Sequence, residues 1–331
     1  MTHTVLIITD DADTAAERVA AELTGRGVPV VTLDTADFPA HVSMAAHIET
    51  GRRGWSGIVG TVRGELDLAG VGAIYSRRPT QFRMDERMSS PERAFAFAYA
   101  EARYGFGGVL AALRQSGCLW VNDPMAAMRA EYKPIQLVTA ARVGLSVPKT
   151  IITNDPQEAH AWAKELGKPF AYKAVGGIWH ADEGQVRVIY TKPVDDLDAL
   201  LDPALARTAQ LFQEWVDKAY EVRALVIGGQ VLAVRIDSAS EQGTIDWRSD
   251  YDSLTYERVE LPTEIRDRLV ELHDQLNLVY GAADLICDPQ GRYHFLETNQ
   301  SGEWGWLNQR AGLPVPEALA DILQLGPAWA R

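Results

Sequence analysis

Asp284, Glu297 and Asn299 are three oxygen donors arranged around one turn-forming stretch, Asp288-Pro289-Gln290-Gly291, and as a set they could hold a hard cation. Proline fixes one φ angle and glycine tolerates a positive one, so the apolar runs on either side are expected to pair as an antiparallel hairpin. With Cys287 opposite Arg292, Asp284 falls opposite Phe295, and the two-residue period puts Phe295, Glu297 and Asn299 on the sheet face of Asp284. A surface hairpin with acidic residues at its end would show the same alternation, and a slip of one residue would turn Asp284 away. No His or Cys accompanies these oxygens. That suits Mg²⁺, which takes one or two carboxylates and leaves its other positions to water and phosphate oxygens, so the ligand implied is a nucleoside triphosphate.

Other residues fit a phosphate-bearing ligand. Lys173 is a lone cation in the apolar run 170–175, where a charge is costly unless an anion partners it. Gly176 and Gly177 follow it and could close a backbone loop over phosphate oxygens, although such a pair also makes an ordinary turn. Lys133 is expected at the centre of a helix, just before Pro134, and in isolation reads as solvent-exposed. Gln213, Glu214, Trp215 and Val216 form an apolar linker whose backbone could pair with an adenine edge, and the Glu221 carboxylate could accept from ribose hydroxyls. Arg223 and Arg235 sit on successive strands and carry the planar fork that suits phosphate, though each alone could be a surface ion pair. His180 could touch phosphate or simply lie at the surface.

The elements that must position these groups alternate along the chain. A strand at 4–9, a helix at 13–25 with Ala16, Val19, Ala20 and Leu23 as its apolar stripe, and a strand at 28–33 make a βαβ opening. Thr9-Asp10-Asp11-Ala12-Asp13 stands where a dinucleotide site would need glycines. A hairpin around Gly51 to Gly64, a strand at 73–76 and a helix at 91–115 follow, with Gly105 to Gly108 as a packing or kink site in that helix. Asn122 or Asp123 can cap the next helix, at 125–143. Strand 149–152, helix 155–166 and strand 169–175 come next, and from about 210 the order is strand, strand, helix, hairpin and a short Pro-flanked helix. The order is α/β first and α+β afterward.

At 331 residues, 47% apolar and 23% charged, the chain can bury a large core in two or three domains. It has no apolar run near the roughly 18 residues of a membrane span, and its first residues lack a signal-peptide pattern, so a cytoplasmic location away from membranes is expected. Cys118 and Cys287 lie in apolar surroundings as buried thiols. A net charge of −13 argues against a nucleic-acid partner but leaves room for a local basic patch.

In order, Lys133, Lys173 with its glycine pair, the 213–216 hinge, Glu221-Val222-Arg223, Arg235 and the Asp284, Glu297, Asn299 set resemble the ATP-grasp superfamily over 119–331. The segment 1–118 resembles the α/β domain that commonly precedes that fold. The resemblance implies a pre-ATP-grasp domain at 1–118, a central subdomain at 119–209 and a C-terminal subdomain with the Mg²⁺ site at 210–331. Within the superfamily, Tyr75-Ser76-Arg77-Arg78-Pro79, Val188-Ile189-Tyr190-Thr191, Ile236-Asp237-Ser238, Asp246-Trp247-Arg248 and the stretch from Asn299 to Trp306 look like the graspetide maturases, the microviridin-type macrocyclases.

That likeness implies ATP and Mg²⁺ as cofactors and, as partner, a ribosomally made precursor peptide with a leader and a Thr/Asp/Glu-rich core; related folds often form homodimers. Side-chain carboxylates would be activated as acylphosphates and joined to Ser or Thr hydroxyls as esters, or to Lys amines as amides. Lys133, Lys173 and Arg235 would neutralise the triphosphate, Asp284, Glu297 and Asn299 would hold the metal, and Arg78 would hold the substrate carboxylate or acylphosphate, or else pair with one of the chain's many acids. Asp246-Trp247-Arg248 would belong to a substrate-facing loop or to a mobile surface loop, and Trp304 and Trp306 would pack beneath the metal site or in the core. Two other readings stand beside this one: a ligase adding a free amino acid or amine to a carboxylate, and a regulator that binds ATP without turning it over.

Overall fold

The structure, a computed structural model, describes residues 3–84, 92–176, 179–182, 185–188, 191–194 and 196–329. It opens with β1 (Thr4–Ile8), α1 (Thr14–Gly25) and β2 (Val30–Leu33), the expected βαβ start. The Asp13 carboxylate accepts from the backbone N–H of Ala15 and Ala16 at 3.0 and 3.2 Å, which fixes the start of α1. Ala16, Val19 and Leu23 then turn to the core. β3 (Ser43–His47), β4 (Ser56–Thr61) and β5 (Gly64–Asp67) form an antiparallel sheet of three strands, one more than the expected hairpin.

After β6 (Val71–Ser76), the expected 91–115 helix is split into α2 (Glu92–Ala102) and α3 (Gly108–Ala112). A π-helical turn at Arg103–Gly107 separates them, where the glycines weaken the regular helix and allow a wider turn. β7 (Leu119–Val121) completes a parallel sheet of order β2-β1-β6-β7. Leu6, Ile8, Ile74, Phe106 and Trp120 share one core cluster on it. Asp123 caps α4 (Pro124–Ala130), accepting from Met125 and Ala126 N–H at 3.0 Å each. Asn122 does not cap; it is buried and bonds the backbone of Val279 and Tyr280.

The helix expected over 125–143 is broken as well. α5 (Lys133–Arg142) starts anew after α4, because Pro134 lacks an N–H and restricts the residue before it. Lys133 is therefore the first residue of a helix, not the middle of one. β8 (Thr150–Thr153), α6 (Pro156–Leu166), β9 (Phe170–Lys173), β10 (Trp179–Asp182), β11 (Gln185–Val188), β12 (Lys192–Pro193) and β13 (Gln210–Glu214) follow. Four of these strands make an antiparallel sheet of order β12-β9-β13-β8, and α6 buries Ala159 and Ala163 against Phe170 and Phe212.

A five-stranded sheet, β16-β15-β14-β17-β18, carries the acidic hairpin. Its strands are β14 (Tyr220–Ile227), β15 (Gln230–Ser238), β16 (Leu254–Val259), β17 (Tyr280–Cys287) and β18 (Tyr293–Asn299), with α7 (Glu241–Ile245) and α8 (Thr263–Leu276) between them. α9 (Gly305–Ala311) and α10 (Val315–Leu325) end the chain, α10 packing on α1. Two compact units result: Met1–Ala127, Asn277–Tyr280 and Glu303–Arg331 form the first, Met128–Leu276 and Gly281–Gly302 the second.

The register of the acidic hairpin differs from expectation in an instructive way. Cys287 pairs with Tyr293, not Arg292, and Leu285 pairs with Phe295; a bulge then shifts the ladder so that Asp284 pairs with Glu297 and Ala282 with Asn299. The turn is one residue longer than expected, because the Asp288 carboxylate accepts from the N–H of both Gln290 and Arg292 and draws Arg292 into the loop. Phe295 thus joins fully buried Leu285 instead of Asp284. The extra residue, Leu296, restores the meeting of the two carboxylates.

Candidate nucleotide and metal site

In the second unit, Asp284 and Glu297 sit side by side in a crowd of cations. Arg223 Nη1 lies 2.7 Å from Asp284 Oδ1, Arg248 Nη2 lies 2.5 Å from Asp284 Oδ2 and 3.1 Å from Glu297 Oε1, and Lys133 Nζ lies 3.3 Å from Glu297 Oε2. Every carboxylate oxygen of the pair already has a cationic partner. Burial alone would push the Glu297 carboxyl upward, but Lys133, Arg248 and Lys173 outweigh it and hold its pKa down at about 2. Burial likewise opposes the charge of Arg248, yet Asp284, Glu297 and Asp246 leave that guanidinium above its ordinary value.

Each cation is placed by a different element. Lys133, at the start of α5, also donates to the Ala174 carbonyl at 2.7 Å, just past β9. Gln136 on the same helix clamps it to β18, accepting from Thr298 N–H at 2.8 Å and donating to Thr298 O at 2.9 Å. Lys173, on β9, donates to Gln213 Oε1 at 3.1 Å, and Gln213 donates in turn to Thr150 Oγ1 at 2.9 Å. Burial lowers the Lys173 pKa, with Glu297 opposing that shift. Gly302 leaves space for Arg223: a Cβ there would lie 2.7 Å from Arg223 Nη2.

Not every residue singled out from the sequence joins the cluster. On the β14–β15 ladder Arg235 faces Val222, the neighbour of Arg223, and so lies on the opposite face of the sheet from Arg223 and Asp284. There it pairs with both oxygens of Asp237 at 2.6 and 2.7 Å and stacks on Tyr220 at 4.2 Å. The arginine that meets both carboxylates is Arg248, from the short loop after α7. The fragment Asp246-Trp247-Arg248 was visible in sequence as part of a substrate-facing loop, but no local signal singled out Arg248 within it.

Glu221 is buried, pairs with Lys218 and lines a pocket of about 70 Å³ with Lys218, Ser238 and Trp247. Burial raises the Glu221 pKa and Lys218 works against the rise. At the hinge, Glu214 and Trp215 N–H donate at 2.8 Å to the carbonyls of Lys149 and Pro169, and the Glu214 side chain takes Lys168 at 2.8 Å. Val216 continues that linker, half-buried, and Gly176 is exposed beyond β9, while Gly177 lies outside the described residues. The His180 side chain, Ile189 and Tyr190 are outside them too. Asn299 ends β18 on the ladder opposite Ala282, two residues past Glu297. Arg78 and Trp304 belong to the first unit, where fully buried Trp304 donates to Tyr75 Oη at 3.2 Å. Cys118 and Cys287 are buried and free, and burial pushes the Cys118 thiol up to about 12.

The donor chemistry fits a magnesium ion. Two carboxylates and an amide are hard oxygen ligands, and among the described residues no group of three or more His, Cys, Asp or Glu gathers in a metal-binding arrangement. An ion held by both carboxylates would take over the contacts Arg248 now makes, releasing a guanidinium for phosphate.

Comparison with known proteins decides the family. The RimK-like ATP-grasp domain matches residues 129–323, and the MvdD pre-ATP grasp domain matches residues 4–129. The chain belongs to the RimK-like ATP-grasp family. This ATP-grasp protein is a ligase that uses ATP and Mg²⁺. A RiPP-associated ATP-grasp ligase of Chryseobacterium gregarium, solved with ADP and a leader and core peptide, is 27% identical, with a TM-score of 0.87 over 97% of this chain and 96% of that one. The macrocyclase MdnC of Microcystis aeruginosa MRC, solved with its precursor peptide MdnA, is also 27% identical, with a TM-score of 0.81 over 97% of this chain and 98% of that one. Among curated proteins, a tetrahydromethanopterin:alpha-L-glutamate ligase of Methanocaldococcus jannaschii is 24% identical over 207 residues, 61% of this chain and 68% of that protein. Among the described residues no helix is long and apolar enough to cross a membrane.

Proposed function

We propose that this ATP-grasp ligase is a peptide macrocyclase that joins Asp or Glu side chains of a ribosomal precursor peptide to Ser or Thr hydroxyls, or to Lys amines. The observation that carries the reading is the extent of the likeness. The Chryseobacterium gregarium ligase aligns with 97% of the chain, first unit included, whereas the glutamate ligase covers 61%. We take 1–118, 119–209 and 210–331 as the three working domains and the cytoplasm as the place of action.

In the proposed reaction a substrate carboxylate oxygen attacks the γ-phosphorus of ATP and ADP leaves, giving an acylphosphate. The hydroxyl oxygen or amine nitrogen then attacks the acyl carbon, loses its proton, and inorganic phosphate departs. Two anions must meet in the first step, so neutralisation and alignment supply the acceleration. Lys133, Lys173 and Arg248 bind the phosphate oxygens, Arg223 orients Asp284, Glu221 accepts from the ribose, and the backbone at 213–216 meets the adenine edge. Asp284, Glu297 and Asn299 would hold Mg²⁺, whose contribution when bound is to offset charge on the β- and γ-phosphates. Arg78 takes the substrate carboxylate.

Mass spectrometry after incubation with ATP, Mg²⁺ and a candidate precursor tests this directly: each ring removes one water, about 18 mass units, by the bond-making step itself. The amino-acid ligase reading, favoured by the curated relatives, requires a mass gain instead and would then replace ours.

A further inference from the structure

The first unit holds a second convergence of charge. Arg77 and Arg78 follow β6 directly, and both donate their backbone N–H to the Ile8 carbonyl at the end of β1, at 2.9 and 3.3 Å. β1 and β6 are parallel neighbours from which the sheet runs outward in both directions, to β2 on one side and β7 on the other. The carboxyl ends of two such strands form the crevice where open α/β sheets bind ligands. Two guanidinium groups meet at that crevice, and both grip one carboxylate: Arg77 Nη2 lies 2.7 Å from Glu303 Oε2, and Arg78 Nη2 contacts Glu303 Oε1.

The three residues differ in how firmly they are held. The Arg77 side chain is 1% exposed, while those of Arg78 and Glu303 are each 46% exposed. Asp13 comes within 3.7 Å of Arg77 Nε but also serves Thr9 and the N–H groups of α1. Trp304, next to Glu303, is fully buried, so the Glu303 side chain can swing into solvent from an anchored backbone. Another carboxylate could replace Glu303 between the two arginines and leave neither charge without a partner.

We infer that Arg77 and Arg78 form a receptor for one side-chain carboxylate of an acidic peptide, and that Glu303 is its resident competitor, which an incoming Asp or Glu must displace. This rests on the macrocyclase reading for the identity of the peptide but not for the existence of the site. Arg77 is the fixed half, Arg78 the mobile half, and Glu303 a selectivity element: only an acid presented at high local concentration, as on a docked peptide, prevails over it.

Calorimetric titration of the full-length protein with N-acetylglutamate α-amide, which carries one side-chain carboxylate, tests the site. Glu303→Gln should bind it about tenfold more tightly than the wild type, as expected when a competitor filling the site about nine-tenths of the time is removed. The neutral analogue N-acetylglutamine amide should show no gain, Glu303→Asp should behave as wild type, and adding Arg78→Ala to Glu303→Gln should erase the improvement. Equal or weaker binding by a Glu303→Gln protein with unchanged melting temperature overturns the inference, as does sulfate binding without binding of the acid. If Glu303→Gln does not fold, Arg78→Ala alone decides: unchanged affinity for the acid rejects the receptor. Tighter acid binding by Glu303→Gln without ring formation on any precursor keeps the site and discards the macrocyclase.

Discussion

Arg248 carries the site in a way that no local pattern around it announces. Its Nη2 touches Asp284 and Glu297, residues 36 and 49 positions away, so its role exists only once the loop after α7 reaches β17 and β18. Arg248→Ala should lower kcat for ATP-dependent ligation by about 10²-fold or more while leaving the melting temperature close to wild type, because a preorganised charge at the phosphates is lost. A kcat within a fewfold of wild type in steady-state assays would remove Arg248 from the machinery. Lys173 was legible from sequence, as a cation in an apolar strand. Lys173→Ala should weaken ATP binding by about 1.5 to 3 kcal/mol, the range for hydrogen bonds to charged groups; retained affinity in a calorimetric titration would count against that role.

At the level of elements, the acidic hairpin shows how a small irregularity sets which side chains meet. Its turn and alternating strands were readable from Asp288-Pro289-Gln290-Gly291, but the bulge beside Asp284 was not. The compensation between the longer turn and the bulge depends on the fit of Leu285 and Phe295 in the core. Deleting Leu296 should slip Glu297 and Asn299 away from Asp284 and abolish ligation while circular dichroism still reports a folded sheet. Preserved activity would mean that the carboxylate pair is dispensable. The turn itself should be acid-sensitive. Burial works to raise the Asp288 pKa, but His294, at 3.0 Å, and Arg292, at 2.8 Å, prevail and hold it well below the ordinary value. A depressed folded-state pKa contributes stability that is present above the unfolded value, about pH 4, and is lost as pH falls further toward the folded value. Asp288→Asn should flatten the melting temperature against pH in that acid range, and an unchanged profile would refute the linkage.

Across the whole molecule, a net charge of −13 coexists with a site where Lys133, Lys173, Arg223 and Arg248 surround two carboxylates. The chain as a whole repels anions while this one region attracts them, so nucleotide binding should depend on the local cluster and on the divalent ion more than on overall charge. Chelation with EDTA should stop ADP release, and added Mg²⁺ should restore it; turnover that persists without a divalent ion, followed by phosphate release, would show that the carboxylates serve another purpose.

The sequence by itself determined the βαβ opening, the acidic hairpin, the isolated lysine and the ATP-grasp likeness, because each is written in local periodicity, turn chemistry or an ordered set of short motifs. Only the tertiary structure decided which arginine bridges Asp284 and Glu297, which residue pairs with Asp284, and that Lys133 begins a helix beside β18. Strand register fixes the face on which a side chain emerges. A single residue added to a turn, or one bulge, changes that face, and whether it does is settled by packing between residues far apart in the chain.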